Sequence, residues 1–309
     1  MVDMLSTIII SLPLFLIIFG GWVLQRSKAM QGDWVHQANA FAYNVALPAL
    51  IIASLWSINF RDVALLRLFG FSTLSLLAYL AVLFVGLSMT RLANDMKATI
   101  FLTAGTGNAL YLGIGLIQVG FSSDHLPAGT LVASIYFIVS FVLSVSAIRY
   151  WHMKNHALAT ELAEFVKNPL VVSVVIGVAL SFVSVVKYPL IGTVKQALAM
   201  IGSTSSPIAL FALGGFLYGK MLKKDMGKVV LITTLKMVVF PAIVFALYRV
   251  FYGHGDAEIP VLLASMPVAV TTFVIAERFK LNTMLVGSAI VFATVVSFIT
   301  APIILLLFR

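Results

Sequence analysis

Runs of about 20 apolar residues recur along the whole of this chain, separated by short charged or Gly/Pro-containing loops. Each run is long enough to cross a hydrocarbon core about 30 Å thick as a helix. Of the 309 residues, 61% are hydrophobic and 10% are charged, against roughly 45–50% and about 25% in soluble domains. The sequence therefore predicts an all-α protein that crosses a membrane many times, and it excludes a soluble fold.

Ten membrane spans can be placed in the sequence. The chain contains no cysteine, which excludes a disulfide framework, a thiolate metal site and a cysteine nucleophile. It also lacks the short motifs of zinc proteases, phosphate-binding loops and serine hydrolases, so we predict that the protein is not an enzyme. The predicted spans are residues 5–24, 39–57, 68–89, 98–120, 127–148, 169–186, 197–218, 229–248, 259–276 and 284–308.

Ten spans put both termini on one side of the membrane, and the basic residues of the loops decide which side that is. The side opposite the termini holds thirteen Lys and Arg residues, whereas the terminal side holds six. Because basic residues concentrate in cytoplasmic loops, both termini are predicted to be non-cytoplasmic in the inner (plasma) membrane. The longest loop, residues 149–168, is then a cytoplasmic linker.

The linker divides the chain into two halves, residues 1–148 and residues 169–309, with five predicted spans each. Pro48 in the second span corresponds to Pro207 in the seventh, and Gly115 in the fourth corresponds to Pro267 in the ninth. An odd number of spans per half requires the halves to be inverted relative to each other, which is a common plan of secondary transporters. A chance correspondence is the alternative, because proline is frequent in membrane helices.

The fourth span contains a stretch that is poorly suited to a continuous helix. Residues 103–115 hold four glycines, two threonines and an asparagine, and each interior glycine costs about 1 kcal/mol of helix propensity relative to alanine. Interrupted helices persist in a membrane only where they are buried or line a cavity. Close helix packing by small residues is the alternative, but packing does not require Asn108. The predicted helix-break residues here are Gly105, Gly107 and Gly115.

The ninth span contains Pro267, which is followed by Thr271 and Thr272. Proline removes a backbone donor and clashes with the preceding turn, so it frees carbonyl groups before it. A simple proline kink is the alternative, but the two interruptions fall in corresponding spans of the two halves. Crossed half-helices would bring partly positive N-terminal ends near the membrane midplane, where they can meet an anion.

Lys236 is the one basic residue that falls inside a predicted span. A lysine at the centre of a membrane helix costs about 2.5–3.5 kcal/mol on insertion scales, so we expect it to have a role. The ammonium could snorkel to the cytoplasmic surface, or it could cap carbonyl groups that are freed near a helix break. Our hypothesis is that it supplies positive potential to an anion site.

Four motifs resemble those of the auxin efflux carrier family, and the chain looks like a bacterial member that is similar to the plant PIN-type carriers. The match extends over nearly the whole chain, and the motifs are specific only when taken together. They lie in the second helix, at the start of the sixth, and in the seventh and ninth helices, at residues 44–50, 167–170, 206–214 and 266–278.

This resemblance implies a ten-helix fold shared with sodium/proton antiporters and bile-acid symporters, in which helices 4 and 9 are broken and cross. Helices 1, 2, 6 and 7 would form a scaffold domain, often dimeric, and helices 3–5 and 8–10 would form a transport domain that moves like an elevator. Asn108 falls where the family has an asparagine. The family's following Thr-Gly is Ala109-Leu110 here, its crossover proline is Gly115, and the asparagine of its ninth helix is Thr271.

Together these observations predict a secondary transporter that moves a small organic anion, a mono- or dicarboxylate such as an auxin-like molecule, by alternating access. The alternative is a sodium- or proton-coupled carrier of another substrate on the same fold. We predict no cofactor, with Na⁺ or H⁺ coupling left open, no metal site, no nucleic-acid partner, and a homodimer formed through the scaffold helices. The predicted substrate-binding residues are Asn108, Tyr111, Gly113, Gly115, Lys236, Pro267, Thr271 and Thr272.

Overall fold

A computed structural model describes residues 4–30, 32–59, 62–152, 166–182, 189–219, 225–252 and 257–307. Within these ranges the chain forms α-helices, π-helical turns and one isolated antiparallel bridge, without a strand. The predicted all-helical class is therefore confirmed. Most of the predicted linker, residues 153–165, lies outside the described residues.

The α-helices and the π turns that continue them are numbered here in chain order. The helices are α1 Met4–Ser27, α2 Trp34–Phe41, α3 Leu47–Leu55, α4 Val63–Met89, α5 Asn94–Gly105, α6 Ile114–Gly120, α7 His125–Trp151, α8 Pro169–Ser181, α9 Pro189–Ser203, α10 Ser205–Leu217, α11 Met226–Thr234, α12 Phe240–Tyr252, α13 Glu258–Ala264, α14 Thr271–Arg278 and α15 Thr283–Leu307. The π turns are π1 Ala42–Ala46, π2 Ala109–Gly113 and π3 Leu235–Val239.

Seven helical segments among the described residues are long and apolar enough to cross a membrane, which makes the chain a multi-pass membrane protein. Shorter helices occupy the predicted fourth, sixth and ninth spans, where α5, α8 and α13 have 12, 13 and 7 residues. The count of ten spans and their inverted arrangement therefore stay predictions. The seven segments are Thr7–Ser27, Trp34–Leu55, Val63–Met89, His125–Trp151, Leu190–Leu217, Met226–Phe251 and Thr283–Leu307.

One group of helices packs through glycines that allow very close backbone contact. Helix α1 packs along α10, and α3 packs against α8 and α9. A Cβ atom on Gly214 would overlap the carbonyl oxygen of Ile18, and one on Gly202 would lie 2.6 Å from the Cα atom of Leu50. Small residues that let backbones approach in this way are typical of helix packing in membranes.

A second group of helices holds the two interrupted segments. Helix α4 packs against α7 and α12, α5 packs against α7, and α11 packs against α15. The two groups meet where α1 contacts α15 and α6, and where α3 contacts α7. Most residues of the two interruptions are buried, and the helices that lead into them pack against α7, with α5 also contacting π3.

Replacing Gly214 by alanine is expected to destabilise the protein, because the new methyl group would force α1 away from α10. Overpacking of this kind costs about 1–3 kcal/mol. The matched control is Gly70→Ala in α4, where a Cβ atom would meet nothing within 4 Å and helix propensity alone would change stability by at most about 1 kcal/mol, in the favourable direction. Melting temperatures of the purified variants in detergent test the prediction. Equal melting temperatures in the two variants would contradict it.

Candidate functional site

Two helix interruptions lie side by side and satisfy each other's backbone groups. Helix α5 ends at Gly105 and is followed by Thr106 in an extended conformation, whereas α13 ends at Ala264 and is followed by Ser265, which is still helical in its backbone angles. Gly107 and Val268 form an antiparallel bridge between the two interruptions. The Asn108 N–H donates to the Pro267 carbonyl at 2.7 Å, and the Ala269 N–H donates to the Thr106 carbonyl at 3.3 Å. The groups that the helices leave unpaired are therefore paired across the crossing, as an apolar medium requires.

The C-terminal ends of the two interrupted helices are each capped by a side chain from a neighbouring helix. The Tyr79 hydroxyl donates to the Ala104 carbonyl at 2.9 Å, and the Lys236 ammonium donates to the Ala264 carbonyl at 2.5 Å. Both side chains are buried, each with 1% of its surface exposed. Partial negative charge at a helix C-terminus favours such donors.

An aromatic ring joins the two capping residues. The Tyr79 ring stacks on the Phe240 ring, with 4.5 Å between centroids. The Lys236 Nζ lies 4.9 Å from the centroid of the same ring, which is within the range of a cation–π interaction. Among the described residues no carboxylate oxygen lies within 4 Å of the ammonium. Carbonyl dipoles and a ring face, rather than an acid, thus stabilise this buried charge.

The absence of a side chain at Gly107 is what allows the lysine to lie between the two interruptions. A Cβ atom on Gly107 would overlap Lys236 Cε and lie 2.7 Å from its Nζ. A Cβ atom on Gly113 would lie 2.5 Å from Leu263 Cδ2 in the opposite interrupted helix. Gly107 and Gly113, which were both predicted to bind substrate or break a helix, therefore allow neighbouring side chains to pack closely at the crossing.

A cavity of about 950 Å³ reaches the crossing from one side. Its wall is mostly aromatic and apolar, with hydroxyl and amide groups on several helices. The lining also includes two basic side chains, an acid and a histidine, which lie near the beginning or the end of a helix. The lining residues are Asp33, Val35, His36, Asn39, Ala40, Tyr43, Asn44, Tyr111, Phe137, Phe141, Lys167, Asn168, Pro169, Phe216, Val270, Thr271, Phe273, Val274, Ile275, Arg278 and Phe279.

Two of the predicted substrate-binding residues line this cavity, namely Tyr111 in π2 and Thr271 at the start of α14. Asn108 is 4% exposed and is held at the crossing by its backbone. Thr272 is fully buried, and its hydroxyl donates to the Ala269 carbonyl. Lys236 is also excluded from the cavity, and its burial means that the ammonium does not snorkel to the surface.

The predicted break residues do not all lie at an interruption. Gly105 is the last residue of α5, Gly107 lies in the first interruption and Pro267 in the second. Gly115 instead lies inside helix α6, where a Cβ atom would be 3.2 Å from Leu14 Cδ2 of α1. Gly115 corresponds to Pro267 in the other half of the sequence, which suggested a helix break. In the fold it instead allows α6 to pack closely against α1.

The aromatic wall of the cavity, and the polar groups that line it together with Tyr111 and Thr271, were not predicted from the sequence. Asn168 and Tyr43 are the clearest example, since the Asn168 amide donates to the Tyr43 hydroxyl oxygen at 2.7 Å. Asn168 belongs to the motif at residues 167–170, which predicts the start of a helix but no contact with Tyr43. Tyr43 lies in a π turn, and such turns are frequent at functional sites but have no sequence signature.

Metal-binding side chains do not gather at this site. Among the described residues no group of three or more His, Asp or Glu side chains could hold a metal ion. His156, Glu161 and Glu164 lie in the central loop, outside the described residues.

Replacing Lys236 by methionine is expected to lower the melting temperature more than replacing it by glutamine. Both variants are neutral, so the cost of burying the charge is absent from both. The glutamine keeps a donor near the Ala264 carbonyl, whereas methionine leaves that carbonyl unpaired, and one interhelical hydrogen bond in a membrane contributes about 0.6–2 kcal/mol. Thermal unfolding in detergent measures the difference. Indistinguishable melting temperatures would rule out the capping role.

Comparison with known proteins gives the family. The family model described as "Membrane transport protein" matches residues 7–305. A protein of Rhizobium meliloti (strain 1021) named "Putative malonate transporter" is 25% identical over 306 residues, covering 96% of this chain and 94% of the relative. An uncharacterized transporter of Methanocaldococcus jannaschii is 20% identical, over 84% of this chain and 85% of its own. An uncharacterized transporter of Methanothermobacter thermautotrophicus is 23% identical, over 94% of this chain and 95% of its own. With its motifs and the family match over nearly its whole length, the chain belongs to this family of membrane transport proteins, the auxin efflux carrier family.

Proposed function

We propose that the protein is a secondary transporter that moves a small organic anion by alternating access. The observation that carries this proposal is the cavity, which reaches the paired interruptions and presents hydroxyl groups from two helix starts. Tyr111 is the third residue of π2, and Thr271 is the first residue of α14. Helix starts carry partial positive charge, so a carboxylate at this end of the cavity would gain both hydrogen bonds and a favourable field.

The charges around the cavity support an anion rather than a cation. Among the described residues that line it, Lys167 and Arg278 are basic and Asp33 is the one acid. Lys236 adds a positive charge behind the crossing, where it is bonded to the Ala264 carbonyl and does not contact the cavity. We propose that its field, rather than a direct contact, favours the anion.

The lining of the cavity supports a carboxylate that carries an apolar part. Five phenylalanines, Phe137, Phe141, Phe216, Phe273 and Phe279, line the cavity, which suits an auxin-like aromatic monocarboxylate. The relative named for malonate supports a dicarboxylate instead, and both classes belong to the proposal. The alternative is a carrier of another substrate that is coupled to Na⁺ or H⁺. Dependence of transport on these ions would distinguish this alternative from the proposed anion transporter.

The packing of the helices supports an elevator movement between a scaffold domain and a transport domain. Helices α1–α3 and α8–α10 form the glycine-packed group and correspond to predicted helices 1, 2, 6 and 7. The other helices hold the crossing. Apolar side chains exposed on α1 and α9, such as Leu16 and Leu190, are compatible with a homodimer through the scaffold. We place the repeats at residues 1–148 and 169–309, with the linker in the cytoplasm.

Replacing Thr271 by valine is expected to weaken transport without changing stability, because it deletes one hydroxyl in the cavity at nearly constant volume. A hydrogen bond to a charged group contributes about 1.5–3 kcal/mol, so the KM for the anion should rise by about tenfold or more. Uptake and counterflow of labelled mono- and dicarboxylates in proteoliposomes, with and without Na⁺ and a pH gradient, provide the measurement.

The matched control is Thr73→Val, because Thr73 is exposed on α4 and its hydroxyl donates only to the Phe69 carbonyl of its own helix. Transport by this variant should equal that of the wild type. A wild-type KM in Thr271→Val, or an equal loss of transport in both variants, would contradict the proposed site.

The orientation gives a separate prediction, with both termini non-cytoplasmic. Ala29 and Ser123 are exposed and lie on opposite sides in the predicted topology. Single cysteines at these positions are unambiguous because the chain has none of its own. A membrane-impermeant maleimide should label Ser123→Cys in intact cells and spare Ala29→Cys until the cells are permeabilised. The reverse pattern would show that the termini are cytoplasmic.

A further inference from the structure

Tyr43 and Asn168 form a polar pair on the wall of the cavity that faces the crossing. Tyr43 lies in π1, between α2 and α3, and Asn168 is the residue before α8. Both line the cavity. Their elements pack against each other in the glycine-packed group, whereas α14 packs against α5 and α15, and π2 packs against α6, α7 and α10. The cavity therefore has hydroxyl groups on two separate walls.

Hydrogen bonds fix which way the Asn168 amide is turned. Its Oδ1 accepts the Leu170 N–H at 2.9 Å, as a helix N-cap does. With the oxygen used in this way, the Nδ2 group points to Tyr43 and donates to the phenol oxygen at 2.7 Å. The start of α8 thus orients the amide, and the amide orients the phenol.

The Tyr43 hydroxyl keeps one hydrogen-bonding function after this contact. A phenol has one donor in addition to its acceptor capacity, and here the oxygen already accepts from an amide that has no acceptor turned toward it. The proton must therefore point away from Asn168. A phenol that accepts one hydrogen bond is also a stronger donor, because chains of hydrogen bonds polarise one another.

We propose that Tyr43 binds the carboxylate of the transported anion through its hydroxyl proton, with Asn168 as the positioning residue. This inference rests on the proposed anion transport and adds a donor on the wall formed by π1 and α8. A carboxylate is the matching ligand because it only accepts hydrogen bonds. Tyr111 lines the same cavity and offers a second phenol donor to an anion bound there. Lys167, beside Asn168, also lines the cavity and favours the same charge.

Two substitutions separate the donor from the residue that orients it. Tyr43→Phe removes the hydroxyl and keeps the ring. Asn168→Ser keeps a side-chain oxygen that can cap α8 but removes the amide donor. The control is Tyr218→Phe, which deletes a hydroxyl outside the cavity.

The experiment measures counterflow of malonate, succinate, benzoate and phenylacetate in proteoliposomes, together with the melting temperature of each variant. For an anion that the wild type transports, the KM of Tyr43→Phe should rise by about tenfold and that of Asn168→Ser by about threefold, as expected for a charged and an indirect hydrogen bond. The double variant should match Tyr43→Phe alone, because Asn168 acts through Tyr43. Melting temperatures and the control should be unchanged.

Several outcomes would overturn the inference. A wild-type KM in Tyr43→Phe does so even if Asn168→Ser fails to fold. Multiplicative effects in the double variant would remove Asn168 as the positioning residue, and a fall in melting temperature that parallels the loss of transport would make the pair structural. If the wild type transports none of the four anions, the proposed function fails first and this inference fails with it.

Discussion

The architecture depends on one constraint, that backbone groups freed from a helix inside an apolar layer must find partners. The two interruptions meet this constraint by pairing with each other through Asn108 and Pro267 on one side and Thr106 and Ala269 on the other. Neither interruption could exist alone, because each supplies the donors and acceptors that the other lacks. The start of π2 and the start of α14 are therefore fixed relative to each other before any ligand binds.

Capping of the helix ends also determines where the buried charge lies. Lys236 and Tyr79 occupy comparable positions at the two crossing helices, and both contact the Phe240 ring. Since the ammonium is bonded to the Ala264 carbonyl and does not line the cavity, in the proposed mechanism it would act on an anion only through its electric field. The proposed direct donors are instead Tyr111 and Tyr43, which both lie in π turns. A π turn inserts one residue into a helix, so it shifts a side chain away from the packed face.

The sequence predicted those features that violate local rules. A continuous membrane helix is disfavoured by glycines in an apolar run, by Pro267 and by the isolated charge of Lys236. The two interruptions could therefore be inferred from composition and spacing. Carbonyl capping by Lys236 could be inferred as one of the alternatives for that residue. The exclusion of Asn108 from the cavity lining and the aromatic wall of the cavity could not be inferred, because they depend on how separate helices meet. The hydrogen bond between Tyr43 and Asn168 joins residues 125 positions apart. No local pattern signals such a contact.

The proposed donors belong to two packing groups, and this division would account for release of the anion as well as for its binding. An anion held by Thr271 and Tyr111 on one group and by Tyr43 on the other is bound by all three only while the groups are in this arrangement. A relative shift of the groups by a few ångströms would break the bonds on one wall, because hydrogen bonds weaken steeply beyond about 3.2 Å. A carrier needs a site that loses affinity when its domains move. Donors on both walls provide such a site without any change within either group.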